Sequence, residues 1–305
     1  MKTYPLVVLM IFGLFSCGNR HHIPSWKRSS DVFLATDGSC LHLVDEVKES
    51  FLIQNQDVPF RLFVVPEDSA IKMLVHDSVR CCLSSRPLSE YELQCVEEHQ
   101  LQAMQTKVAD DAMALLVSEW NADSLMNIDD LKKIVTGQIT QWNQLCYSQK
   151  QGTLSLLFDA SGSSSVRFMR EFIGKESVMK GNLYAQGSLS KVIESVASDS
   201  MVIGVVGWDE FQTWQSDSLL NSGQTGVRVM WVTRDSLAFP SAYQPAPSHI
   251  GYSRYPLSRS VYLITTDPRR ESNTRLFYHY FKGNKGQKVV SDSTVMLPIG
   301  FVLPF

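Results

Sequence analysis

The turn Asp159-Ala160-Ser161-Gly162-Ser163-Ser164-Ser165 stands just ahead of a segment that reads as a helix and carries Arg167. Four hydroxyls and several backbone N–H groups thus gather at a helix N-terminus, where unpaired donors and a partial positive charge suit an oxyanion. The same composition also serves as a plain connecting loop. Two other turns are rich in hydroxyls: residues 36–40, with Asp37 and Ser39, and 83–86, with Ser84, Ser85 and Arg86. Bond-making chemistry has less support. The sequence has no His-Glu-x-x-His, no Walker loop, no Gly-x-Gly-x-x-Gly and no Gly-x-Ser-x-Gly. The seven histidines are scattered, and none neighbours a candidate nucleophile. Capture of a small anion is expected rather than a reaction, with no catalytic residue and no cofactor.

The elements that must position these turns alternate. Strands are expected over 32–36, 60–65, 79–83, 112–117, 154–158, 183–185, 201–206, 227–232 and 255–265. Helices are expected over 41–51, 69–76, 89–98, 128–135, 166–173, 189–196 and 274–290. Ser89 is placed as an N-cap and Gly137 as a helix stop. Residues 234–253, with Pro240, Pro245 and Pro247, read as loop. Repeated strand–helix alternation predicts an α/β fold with mostly parallel sheets covered by helices on both faces. Ligands on such sheets sit beyond the carboxyl ends of the strands, where all three hydroxyl-rich turns fall. At 305 residues, two lobes fit the length.

Seven blocks in order carry a family likeness. They are 34–39 (Leu-Ala-Thr-Asp-Gly-Ser), 82–88 (Cys-Leu-Ser-Ser-Arg-Pro-Leu), 134–142, which ends in Gln141-Trp142, 161–167, 202–207, 255–262 and Gly286-Gln287-Lys288. With them the chain resembles the phosphate-binding lipoproteins of ABC transporters, within the type II periplasmic-binding-protein superfamily. The resemblance implies two lobes joined by crossing strands that act as a hinge, with the ligand in the cleft. Residues 31–111 plus 259–305 would form one lobe and 112–258 the other, with 112–118 and 255–265 as the crossings. Carried over by position, Ser39 and Cys40 serve the first loop, Ser85 and Arg86 the second, and Ser161, Gly162, Ser163, Ser164 and Ser165 the third, with Arg167 on the following helix. The chain departs from the family pattern at Arg86, where the family has an aspartate, and at Glu67, where it has a serine. A family arginine before the third loop is replaced by Leu157 or Asp159. Arg86 would then supply a cation and Glu67 a proton acceptor, or the two simply pair. Asp37 would repel an anion unless neutralised.

The N-terminus supplies the address. Lys2 precedes a nearly continuous apolar run over 6–15, too short to span a membrane, and Ser16-Cys17 follows it like a lipobox. Residues 1–16 are expected to be a signal peptide, Cys17 the lipid attachment site and 17–30 a tether. That places the protein on the periplasmic or cell-surface side of a bacterial membrane, attached through lipid only. Of the other cysteines, Cys40, Cys81, Cys82, Cys95 and Cys146 lack metal-ligand spacing, and a disulfide has no assignable partners. With 28 Lys and Arg against 31 Asp and Glu, the formal charge is −3, which argues against nucleic acid. The expected function is capture of phosphate, or a similar oxyanion, and delivery by a monomer to an ABC permease. The alternative is a ligand-sensing or adhesion lipoprotein on the same fold, with a different ligand or none.

Overall fold

In the computed structural model, residues 31–174, 176–222, 225–235 and 241–300 are described. The segments expected as signal peptide and tether, with Cys17, lie outside them. The first half-sheet is parallel: β1 (Val32–Thr36) is flanked by β2 (Phe60–Val64) and β3 (Cys81–Ser84). The second is built the same way, with β6 (Ser155–Phe158) between β7 (Leu183–Ala185) and β8 (Val202–Gly207). Between them lie two antiparallel strands, β4 (Met104–Ser118) and β12 (Ser258–Thr265). The main path of the sheet runs β2-β1-β3-β12-β4-β8-β6-β7.

Strand β4 changes partner along its length. From Met104 to Ala112 it pairs with β12, and from Met113 to Leu116 with β8. Its last residues pair with β9 (Val227–Val229). Each half-sheet is covered on both faces. Val32 and Leu34 pack with Phe51, Phe277 and Phe281 on one side, while Ala35 and Cys82 pack with Ile71 and Leu74 on the other. In the second half, Leu156 and Phe158 face Leu131, Ile134 and Trp142, and Leu157 faces Val192 and Val196. This is the period-2 alternation of a doubly covered sheet.

The site-bearing helices start where the turns end. Helix α1 (Leu41–Gln54) follows β1, α2 (Glu67–Val75) follows β2, and α3 (Glu90–Glu98) begins with a capping box of Ser89 and Glu92. Helix α4 is Ile128–Val135, α5 is Ser164–Phe172 and α6 is Leu189–Ser198. The sequence reading missed helix α7 (Trp208–Ser222) and the first eight residues of β4. The span 227–232 divides into β9 and β10 (Trp231–Thr233), which pairs instead with β5 (Leu125–Asn127). Within 234–253 there are a two-residue strand, β11 (Ala242–Tyr243), and a short helix, α8 (Pro247–Gly251). The closing helix is broken at Gly283 into α9 (Asn273–Lys282) and α10 (Asn284–Ser293). Cys40, Cys81, Cys82, Cys95 and Cys146 are all free thiols. No helix among the described residues is long and apolar enough to cross a membrane.

Candidate functional site

The three hydroxyl-rich turns meet. Asp37 follows β1, and its Oδ1 accepts the Ser39 N–H at 3.1 Å and the Ser39 hydroxyl at 2.7 Å. Its Oδ2 accepts the N–H of Ser164, the first residue of α5, at 3.0 Å. The Ser39 and Ser164 hydroxyls are 2.9 Å apart, and Arg259 Nη1 donates to Ser164 Oγ at 2.9 Å. Because Ser39 gives its proton to Asp37, Ser164 donates to Ser39, which makes a chain from Arg259 to Asp37. Arg259, on β12, is held by Asp111 on β4, whose Oδ2 accepts from Nε at 3.0 Å and from Nη2 at 2.7 Å. The two residues face each other in register across the central strands and are buried.

The second turn closes on another carboxylate. Glu67, at the start of α2, is 1% exposed. One of its oxygens accepts three donors: the Ser84 hydroxyl at 2.9 Å, the Ser85 N–H at 2.7 Å and the Ser85 hydroxyl at 2.8 Å. Its other oxygen accepts from Arg167 Nε. Arg167 also donates to Ser85 Oγ at 2.5 Å and to Glu171 at 2.6 Å. In the third turn, the Ser163 and Ser165 hydroxyls both donate to Asp159 at 2.6 Å. The Gly162 carbonyl accepts the Asp68 N–H at 3.3 Å, while Ser161 is exposed.

Of the residues predicted from sequence, Ser39, Glu67, Ser85, Ser163, Ser164, Ser165 and Arg167 are buried here. Cys40 is buried beside Ser39, and burial first, then Asp37, pushes its thiol well above the ordinary range. Arg86 points elsewhere. Its fork makes two bonds of 2.7 Å to Glu92, and a third of 3.0 Å to the Pro87 carbonyl. The alternative in which Glu67 pairs with Arg86 gives way to Glu67 with Arg167, because α5 delivers a guanidinium directly onto α2. Asp111, Asp159, Arg259 and Glu210 were not singled out by sequence as site residues. A signal existed for Arg259: it occupies the inward phase of β12 with Val261 and Leu263, where an apolar residue is the rule.

The electrostatics divide the carboxyls. For Glu67, burial raises the pKa, but Arg167 and the Ser85 donors outweigh it and hold the group below the ordinary range. Asp37 goes the other way: burial and then the neighbouring Glu67 push it up, against the smaller pull of Arg259 and the serines. Glu210, on α7, is pushed up to about 8 by burial and then by Asp159 and Asp37. Gly207 lets these parts approach, since a Cβ there would lie 2.9 Å from Arg259 Nη2 and 3.0 Å from Ser39 Cβ. The described residues contain no group of three or more His, Cys, Asp or Glu able to hold a metal ion. The meeting turns instead cluster N–H, hydroxyl and guanidinium donors on the protein's own carboxylate oxygens.

Known proteins share this arrangement of the chain. Protein SphX of Synechococcus elongatus is 21% identical over 284 residues, 90% of this chain and 81% of that protein. The phosphate-binding protein PstS of Staphylococcus saprophyticus is 22% identical over 293 residues, 93% of this chain and 86% of that protein. Among solved structures, an ABC-type phosphate transport receptor from Vibrio cholerae superposes with a TM-score of 0.65 at 17% identity, covering 87% of this chain and 99% of that one. At that identity the match speaks for the two-lobed fold. The model of the PBP superfamily domain matches residues 24–281, and the chain belongs to that superfamily, the periplasmic-binding-protein fold.

Proposed function

We propose that the protein is an extracytoplasmic substrate-binding lipoprotein that captures phosphate and delivers it to an ABC permease. One observation carries this reading: three separate turns meet and turn their donors onto anionic oxygens, those of Ser39 and Ser164 onto Asp37 and those of Ser84 and Ser85 onto Glu67, at 2.7–3.1 Å. The names of the relatives support phosphate as the oxyanion. No reaction on the ligand is required. On this reading residues 31–111 with 259–305 form one lobe and 112–258 the other, and the change of partner along β4 between Ala112 and Met113 supports that division. Opening of the lobes would release the ligand. Cleavage before Cys17 and its lipidation would hold the protein at the membrane, and Cys17→Ala should abolish acyl labelling.

The proposed ligand donors are those of Ser39 and Ser164, with Arg259 behind Ser164, while Ser163 and Ser165 brace the third turn through Asp159 and Ser85 with Arg167 braces the second through Glu67. The test is calorimetric titration with phosphate and with sulfate, alongside melting curves. Saturating phosphate should raise the melting temperature by mass action. Absence of heat and an unmoved melting curve at millimolar phosphate would instead favour the sensing or adhesion role with another ligand. That second reading draws on one observation, that side chains of the protein itself already take the donors.

A further inference from the structure

We propose that Asp37 is a built-in competitor for the bound anion: its carboxylate takes the donors of the first and third turns, and an oxyanion must displace it to bind. The inference rests on the oxyanion reading above. Asp37 Oδ2 sits on the Ser164 N–H at the start of the nine-residue helix α5, and Oδ1 on the Ser39 N–H and hydroxyl. These are the bonds that two oxygens of a bound tetrahedral anion would make. The Ser39 and Ser164 hydroxyls touch each other at 2.9 Å, which leaves no room for an anion between them in this arrangement.

Asp37 is the replaceable carboxylate of the site. Arg167 binds Glu67 directly, and Arg259 binds Asp111 through two bonds. Asp37 is held by neutral donors, and Arg259 reaches it only through Ser164 and Ser39. Glu67, Glu210 and Asp159 are the neighbouring acids. A swung-out Asp37 would therefore break no guanidinium–carboxylate pair, whereas removal of Glu67 or Asp111 would. An anion that binds only molecules with Asp37 displaced has its intrinsic affinity reduced by the fraction of such molecules. A dianion entering beside an undisplaced Asp37 would meet like charge at close range.

The experiment is calorimetric titration of the full chain in detergent with phosphate and with sulfate, comparing the parent with Asp37→Ser and Asp37→Asn. Serine keeps a good cap for the Ser39 turn but loses charge and reach. Asparagine keeps the Oδ1 acceptor and the size, so it answers the question should the serine variant fail to fold. The expected result is a gain of at least tenfold in affinity for both anions in both variants, with cooperative melting retained. Equal affinities in parent and variants would overturn the inference and leave the oxyanion reading standing. Weaker phosphate binding in the variants with unchanged sulfate binding would make Asp37 an acceptor for the ligand's proton, and would also overturn it. If neither anion binds parent or variants at millimolar concentration, the oxyanion reading falls and the inference with it.

Discussion

Two buried carboxylates where the turns meet have similar donors and opposite behaviour. Glu67 and Asp37 each accept a backbone N–H and a serine hydroxyl on one oxygen. Glu67 is held below the ordinary range and Asp37 is raised above it. The difference is one guanidinium: Arg167 touches Glu67, while Arg259 reaches Asp37 only through the Ser164 and Ser39 hydroxyls and spends its fork on Asp111. Neutral donors satisfy hydrogen bonds, but they do not offset the burial of a charge. One half of the site is thus an ion pair that binds two elements together. The other half is a donor set held by a carboxylate that no guanidinium touches directly.

The largest effect should come from breaking the pair behind the Asp37 half. Arg259→Met leaves Asp111 buried and uncompensated, and should destabilise by about 3–5 kcal/mol, read as a lower denaturant midpoint. In the other half, Glu67→Gln should cost less, roughly 1–3 kcal/mol, because Arg167 keeps Glu171. A reversed order would mean that Arg259 is not the buried anchor of the site. Gly207→Ala comes next. Its new methyl group would press on Arg259 and Ser39, for about 1–3 kcal/mol, and should change the midpoint without removing either charge.

The pH response should follow the raised groups. Glu210 binds its proton more tightly in the folded protein, near 8, than at its ordinary 4.5. Its contribution is therefore complete below about pH 4.5 and is lost as pH rises through 8, at no more than about 1.4 kcal/mol per unit. His42 on α1 is held above its ordinary 6.5, first by its 2.9 Å bond to Asp209 on α7, so its share is likewise lost as pH rises through its folded value. Asp37 and Asp111 run in the same direction. The lowered acids Glu67, Glu92 and Asp267 act oppositely, and withdraw stability only as pH falls below their ordinary range. Denaturant midpoints should fall between pH 5 and pH 9, and Glu210→Gln should flatten that fall. A midpoint that rises with pH over this window would contradict the assignment. The smallest effect belongs to Arg86→Lys, which loosens a partly exposed fork to Glu92: about 0–1 kcal/mol in stability and less than a twofold change in phosphate affinity.

The turns and strands of the site were legible because their signals are local. Hydroxyls after an apolar strand, as at Ser84-Ser85 and Ser163-Ser164-Ser165, mark the turns, and Ser89 with Glu92 marks a cap. Pairing between distant side chains was not legible. Arg86 is the one partner the sequence reading considers for Glu67, and Arg167 becomes its partner only once α5 is placed against α2. The first half of β4 was missed because Lys107, Asp110 and Asp111 break its apolar pattern, and Asp111 is there to hold Arg259. Helix α7 was missed because its polar first turn and scattered apolar residues Phe211 and Trp214 give only a weak stripe.

The most direct test of the account is a crystal structure with arsenate, the heavier analogue of phosphate, located by its anomalous signal. The account predicts one arsenate between the first and third turns, with oxygens on the Ser164 and Ser39 N–H groups, Asp37 turned away from Ser164, and the Glu67–Arg167 pair still in place. Arsenate elsewhere on the molecule, or none with Asp37 still on the Ser164 N–H, would contradict it.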